Sequence, residues 1–192
     1  MICSVLGLGY IGLPIASIIA SKGIKTFGID VNKNLVKDIN NCKIHFYEKD
    51  LDQLLKKVIK NNYLTAKNLP NKSDVFIITV GLSEVWYNKK TGEVYKTAQS
   101  VGDYDPNIHD FRVTTVKENF DNLLYVIQLI RKYVTESSII FTLSPVPLKA
   151  TFRDVSCTVA NTVSKSILRV ALEDVLSKFS NEENVYYFPA YE

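Results

Sequence analysis

The sequence predicts an α/β fold: a single doubly wound, mostly parallel sheet with helices on both faces. Three observations carry this. Short apolar runs alternate along the chain with stretches of helical periodicity. The runs are continuous, as in strands covered on both faces. The first run ends in a glycine-rich turn that opens directly into a helix.

Met1–Leu6 is the first buried strand, and Tyr10–Ser21 follows as a helix of small and aliphatic residues stopped by Lys22-Gly23. Ile24–Asp30 is a second strand and Asn34–Ile39 a short helix. Asp50–Asn61 is a stronger helix, with Leu51, Leu54, Leu55, Val58 and Ile59 on one face. Tyr63–Ala66 reads as a short edge strand, and Asp74–Val80 as the next buried one. Leu82–Asp110, rich in Tyr, Gly, Asn and Asp, reads as a long loop or small hairpin of the kind that serves a site or a partner. Val116–Val134 is an amphipathic helix, Ser138–Leu143 a strand, Ala160–Phe179 a long helix and Asn184–Phe188 a last strand with a possible exposed edge.

The 192 residues are 46% apolar and 22% charged, the composition of a soluble globular domain. The net charge of +3 is scattered, without the clustered Lys and Arg that a phosphate-tracking surface needs, so no nucleic-acid partner is expected. No run is long enough to span a membrane, and the opening lacks a basic leader, so the expected location is cytoplasmic. Cys3, Cys42 and Cys157 are odd in number and widely spaced. They read as reduced, buried or half-buried thiols, and no metal site is expected.

Gly7-Leu8-Gly9-Tyr10-Ile11-Gly12 is G-x-G-x-x-G between a strand and a helix. Gly7 permits the tight turn, Gly9 lets a pyrophosphate approach the backbone, and Gly12 lets the helix pack on the strand. Asp30 ends the next strand eighteen residues after Gly12, where a carboxylate meets the adenosine ribose. An acid there favours NAD over NADP, because it repels a 2′-phosphate. Gly7, Gly9, Tyr10, Ile11, Gly12 and Asp30 are therefore the cofactor-binding candidates, with NAD as cofactor and a small dinucleotide as partner. The alternative is a turn that serves only strand–helix packing.

Gly7–Pro14, Gly28–Asn32, Ile39-Asn40, Glu48–Leu51, Leu64–Ala66 and Asp74–Val80 together resemble the NAD-binding N-terminal domain of nucleotide-sugar 6-dehydrogenases. The resemblance spans about residues 1–80 and implies Gly7, Gly9, Gly12 and Asp30 as cofactor contacts. It breaks at Val80-Gly81-Leu82-Ser83, where that family continues with Val-Pro-Thr-Pro, and its catalytic cysteine and lysine fall in segments this sequence lacks.

From Asp74 onward the sequence resembles the GSCFA family, related to SGNH-type esterases. Asp74–Trp86, Thr91–Val94, Phe111–Thr114, Glu118-Asn119, Ser144–Leu148, Ala150–Asp154, Ala160–Arg169 and Tyr187–Glu192 carry the match. That family's serine segment is replaced here by the dinucleotide turn, and its histidine region would follow Glu192. His45 and His109 read as loop or packing residues. What the resemblance leaves as catalytic candidates is Gly81, Glu84, Ser144, Arg153 and Asn161, with Gly81 and Glu84 where such enzymes carry oxyanion donors. Ser164-Lys165 reads either as part of this set or as an exposed helix face, and Arg153-Asp154 as a surface ion pair. Trp86 and Tyr87 read as pocket lining or as loop anchors.

The expected organisation is a dinucleotide-binding half, 1–80, and a GSCFA/SGNH-like half, 74–192, merged into one domain that shares the strand Asp74–Val80. In the Rossmann order 3-2-1-4-5-6 and the flavodoxin-like order 2-1-3-4-5 alike, that strand stands beside the first, with the ligand crevice at their carboxyl ends. Neither catalytic set is complete, so NAD binding is the expected surviving activity. Two alternatives stand beside it: a truncated hydrolase segment, and a fusion product without selected activity. A third reading takes the whole chain as a divergent dehydrogenase domain, on a loose likeness of Ser144–Pro147 to that family's Ser-Thr-Val-Pro.

Overall fold

The computed structural model describes residues 1–95, 104–179 and 184–192. Six strands form one parallel sheet: β1 (Ile2–Leu6), β2 (Lys25–Ile29), β3 (Leu64–Lys67), β4 (Val75–Val80), β7 (Ser138–Leu143) and β8 (Val185–Phe188). Between β4 and β7 in sequence run β5 (Glu84–Asn88) and β6 (His109–Val113), which pair antiparallel with each other. The sheet order is β3-β2-β1-β4-β7-β8, the Rossmann rather than the flavodoxin-like arrangement, with helices on both sides. Strands from both halves of the sequence thus stand in one sheet. The helices are α1 (Gly12–Ser21), α2 (Lys33–Asn40), α3 (Leu51–Lys60), α4 (Val116–Tyr133) and α5 (Cys157–Lys178).

The chain divides into two compact units. The first comprises Met1–Val80, Val126–Val146 and Phe179–Glu192, and holds the whole six-stranded sheet. The second comprises Gly81–Tyr125 and Pro147–Lys178, with the β5–β6 pair and α5.

In the first unit β1 is central, and its consecutive residues Cys3, Ser4 and Val5 are all buried, as a strand covered on both faces requires. α1 buries Leu13 together with Ala16, Ser17 and Ala20, the last three small side chains. α2 begins at Asn32, whose side chain accepts the Asn34 and Leu35 N–H groups at 3.1 and 3.2 Å. α3 buries Leu51, Leu55 and Val58, with Leu54 and Ile59 half-buried against the same core, the face its periodicity predicts. Asp52 in its first turn and Lys57 and Lys60 in its last complement the helix dipole. β3 lies at the sheet edge, where the Asn40 side-chain amide bonds both the N–H and the carbonyl of Ala66 at 2.9 Å. That amide stands in for a neighbouring strand and blunts the edge. β8 ends the other side of the sheet, with Tyr186 and Phe188 exposed.

In the second unit, the described residues of Leu82–Asp110 include β5 and the start of β6, whose antiparallel pairing is the hairpin option of the two expected. Residues 96–103 of that stretch lie outside the described residues, and β6 runs on through Val113. Trp86 of β5 packs against Phe111 of β6 at 5.5 Å and against Phe152 at 4.8 Å between ring centres. Arg112 of β6 and Glu118 of α4 form a two-armed ion pair at 2.6 Å, which holds the Glu118 carboxyl below its usual range and the guanidinium above its own. α5 starts at Cys157, three residues before the expected start, because Ser156 Oγ accepts the Val159 N–H at 3.3 Å and caps the helix. Its inner face is Ala160, Ser164, Lys165, Leu168, Ala171, Leu172 and Val175.

Candidate functional site

In the first unit the glycine turn leaves the carboxyl end of β1. Gly7 has φ +88°, a conformation that favours glycine, and its N–H donates to the Ile29 carbonyl at 2.8 Å. A Cβ on Gly12 would stand 1.7 Å from the Gly7 carbonyl oxygen, so no other residue fits where α1 meets the turn. Gly9 differs: no heavy atom lies within 4 Å of the place its Cβ would occupy. The turn is therefore closed toward the sheet and open at its middle glycine. Ile11 stands at the N-cap of α1 and has no side chain able to bond the helix N–H groups.

Asp30 follows β2 at the same end of the sheet. Its Oδ2 accepts the Leu8 N–H and its Oδ1 the Asn32 N–H, each at 2.9 Å, so the carboxylate lies beneath the turn. Asn68 donates to its carbonyl at 3.0 Å. Tyr10 packs on Phe46 at 4.6 Å between ring centres and meets the His45 ring edge-on at 6.4 Å. Burial lowers the His45 pKa below its usual value, and the Asp30 charge opposes that shift. Gly7, Gly9, Tyr10, Ile11, Gly12 and Asp30 are thus gathered at one end of β1 and β2. There the Tyr10 ring joins His45, expected only as a loop or packing residue, and Phe46, which the sequence did not single out, in an aromatic wall.

Ser144 also belongs to the first unit. It is buried just after β7, with its N–H on the Val80 carbonyl at 2.9 Å and its Oγ accepting the Val146 N–H at 3.2 Å. The other candidates lie in the second unit. Glu84 is a buried carboxylate whose two oxygens accept the Thr151 hydroxyl at 3.1 and 3.0 Å. Arg153 Nη1 stands 3.9 Å from Glu84 Oε1, so the guanidinium faces Glu84 and the expected surface pairing within Arg153-Asp154 gives way to this one. Asn161 Oδ1 accepts the Leu148 N–H at 2.9 Å, which fixes the loop before α5.

Ser164 and Lys165 are 0% and 1% exposed, which overturns the exposed-face reading. Ser164 Oγ accepts the Ser83 N–H at 2.7 Å, and Lys165 Nζ donates to the Gly81 carbonyl at 3.0 Å. Burial pushes the Lys165 pKa down. These two residues of α5 pin the Gly81–Ser83 backbone, and the Ser83 N–H is thereby already engaged. Trp86 serves both as a packing anchor and as lining of a 390 Å³ cleft, together with Gly81, Glu84, Tyr95, Phe111 and Phe152. Tyr87 instead donates its hydroxyl to Asp110 at 3.0 Å. His109 Nδ1 accepts the Asp105 N–H at 2.9 Å beside the Tyr95 ring, a packing role.

All three cysteines are free, Cys3 buried and Cys42 and Cys157 half-buried. Cys157 donates its thiol to the Leu148 carbonyl at 3.2 Å. Among the described residues no group of three His, Cys, Asp or Glu side chains is placed to hold a metal, and no helix is long and apolar enough to cross a membrane.

A parallel sheet of this order, opening at the end of its central strand into a closed-and-open glycine turn with an acid after the next strand, defines a Rossmann-type α/β protein. The chain belongs to the GSCFA family, whose model matches residues 24–192. That match begins fifty residues upstream of the expected start at Asp74 and takes in β2, α2, α3 and β3. The chain is also 53% identical over 76 residues to the UDP-N-acetyl-D-mannosamine dehydrogenase of Campylobacter jejuni, and 47% identical over 77 residues to that of Yersinia pestis. These matches cover 40% of this chain and 19% and 18% of the relatives, so the chain spans less than a fifth of their length. Among solved structures, the UDP-D-ManNAc dehydrogenase of Pyrococcus horikoshii aligns with 98% of this chain and 36% of its own at TM-score 0.54 and 22% identity. The yeast methylglyoxal/isovaleraldehyde reductase complexed with NADPH aligns at 0.54 and 12% identity, over 98% and 56% of the two chains. At those identities the likeness is one of fold.

Proposed function

We propose that the first unit binds NAD through Gly7–Gly12 and Asp30. The observation that carries this reading is the contrast within the turn: Gly12 has no room for a side chain, whereas Gly9 faces open space. A turn needed only for packing would have no use for the second glycine. With Gly9 bare, a pyrophosphate reaches the backbone at the uncapped start of α1, and the helix dipole favours its charge. Asp30, held by Leu8 and Asn32, presents a fixed carboxylate to the adenosine ribose and disfavours a 2′-phosphate. The bound dinucleotide would supply hydride chemistry, but the residues here only bind and orient it.

Identity above 40% with the dehydrogenases over the matched segment supports NAD as the ligand class. The same segment meeting a GSCFA match supports a joined chain, with a dehydrogenase-derived 1–80 and a GSCFA/SGNH-like 74–192 sharing β4. Titration with NADH, followed by nicotinamide fluorescence, tests the reading. The wild-type chain should bind saturably, Gly9→Val should fold but lose binding, and Asp30→Ala should weaken it. Equal binding by wild type and Gly9→Val would refute it.

A further inference from the structure

Among the described residues that line the 390 Å³ cleft of the second unit, Glu84 is the only charged one. It holds the first position of β5, in register with Val113 of β6, and its side chain is 5% exposed. An ionised carboxylate has two oxygens and about four acceptor sites. Among the described residues this one receives a single hydroxyl proton. Thr151 Oγ1 lies 3.1 and 3.0 Å from the two oxygens but can donate to only one of them at a time. Arg153, which is outside the lining, brings Nη1 to 3.9 Å from Oε1, so it balances the charge without forming a hydrogen bond. Glu84 is therefore a fixed, charge-balanced acceptor with bonding capacity left over, in a wall of otherwise apolar and aromatic side chains. A buried polar group so under-bonded calls for a partner.

We propose that this cleft binds a small uncharged aromatic alcohol, which donates its hydroxyl to Glu84 and lays its body against the rings. The cleft volume lies within the range of small-molecule sites. Trp86, Phe111 and Phe152 already pack on one another at 4.8, 5.5 and 5.7 Å between ring centres, so that wall stands before any ligand arrives. A hydroxyl bonded to a carboxylate makes a charge-assisted bond, stronger than one between neutral groups. An anion is disfavoured, because it would meet the Glu84 carboxylate. A cation gains little, because Arg153 already balances Glu84 while the cation itself gives up its hydration. A neutral donor satisfies the carboxylate without taking a further charge out of water. This site lies wholly in the second unit and does not depend on dinucleotide binding in the first.

Trp86 lines the cleft and is the only tryptophan of the chain, so its fluorescence reports this site. The experiment is a titration of the full chain with 2-phenylethanol, its methyl ether, phenethylamine and phenylacetate, excited at the red edge of the indole band. The alcohol should change the Trp86 emission saturably. The ether, which has the same body and no donor, should bind about tenfold more weakly, the amine more weakly than the alcohol, and the acid weakest of all. Ala150→Phe, which fills the cleft from an exposed lining position, should abolish the response while circular dichroism stays native. Glu84→Gln with Arg153→Met removes both charges together and leaves a neutral acceptor. It should narrow the gap between alcohol and ether to about threefold, since neutral hydrogen bonds are roughly half as strong as charge-assisted ones. The four compounds on the wild-type chain decide the matter independently of either variant. The proposal is overturned if the ether binds as well as the alcohol, if the amine or the acid binds better, or if the folded wild-type chain gives no saturable response. An unchanged titration in Ala150→Phe overturns it as well.

Discussion

The Gly7 carbonyl oxygen lies 1.7 Å from where a Cβ on Gly12 would stand, which fixes how closely α1 approaches the end of β1. Because the obstruction is backbone, it cannot rotate away. Gly12→Ala should therefore lower the stability of the chain by about 3 kcal/mol, the scale of an overpacked core. Gly9→Ala, placed in open space, should stay within about 0.5 kcal/mol of wild type, as ordinary surface substitutions do. Urea unfolding of the two variants checks the contrast, and equal midpoints would contradict it.

Asp50 stands at the start of α3 with φ +62° and makes no side-chain capping bond. A non-glycine residue in the left-handed region bears a steric cost that glycine avoids, although glycine also loses more chain entropy on folding. The balance predicts that Asp50→Gly raises stability by about 0.5–1 kcal/mol. Thermal unfolding at one fixed pH should show a higher midpoint for the variant, and a lower one would mean that the Asp50 charge at the helix start outweighs the backbone term.

The sheet was legible because its signals are local. Continuous apolar runs mark β1, β4 and β7, and the glycine turn marks the joint between β1 and α1. The face of α3 could be read from periodicity alone. Features that join distant residues were not legible. The Asn40 amide that pairs with Ala66 leaves no local pattern, and neither does the bond from Ser83 to Ser164, which joins residues 81 positions apart. Ser164-Lys165 misleads for the same reason: a polar pair on a helix reads as solvated unless its buried partners are known. The start of α5 was placed three residues late although a local signal for it exists, since Ser156 is a standard capping residue three positions before Val159. The candidate site split likewise. Its glycines and Asp30 follow from spacing, whereas the wall of Tyr10, His45 and Phe46 forms only when the chain after α2 folds back on the turn.

Ser164 illustrates the energetic weight of such a distant bond. Its hydroxyl accepts the Ser83 N–H at 2.7 Å, and both residues are 0% exposed. Removing the acceptor leaves a buried N–H without a partner, at a cost of about 1–3 kcal/mol. Ser164→Ala should therefore destabilise the chain by that amount, whereas Thr162→Ala, on an exposed stretch of the same helix, should cost well under 1 kcal/mol. Denaturant titrations of the two variants decide it, and equal midpoints would mean that water reaches Ser83.

Cys3 gives the fold a pH dependence whose sign can be stated. It lies in β1, 2% exposed, and burial pushes its thiol from the ordinary 9.0 up to about 11. Between those values the unfolded chain releases a proton that the folded chain keeps. The contribution of this group to stability is therefore intact below about pH 9 and is lost progressively as the pH rises to about 11. Lys165 acts in the opposite sense, because burial lowers its pKa and raising the pH relieves a buried charge. The test is thus a comparison: stability measured from pH 8 to 11 should fall more steeply for wild type than for Cys3→Ala, which lacks the thiol but keeps Lys165. Thiol labelling at pH 8 should modify the half-buried Cys42 and Cys157 well before Cys3. Parallel stability curves, or early labelling of Cys3, would show that the centre of the sheet admits water.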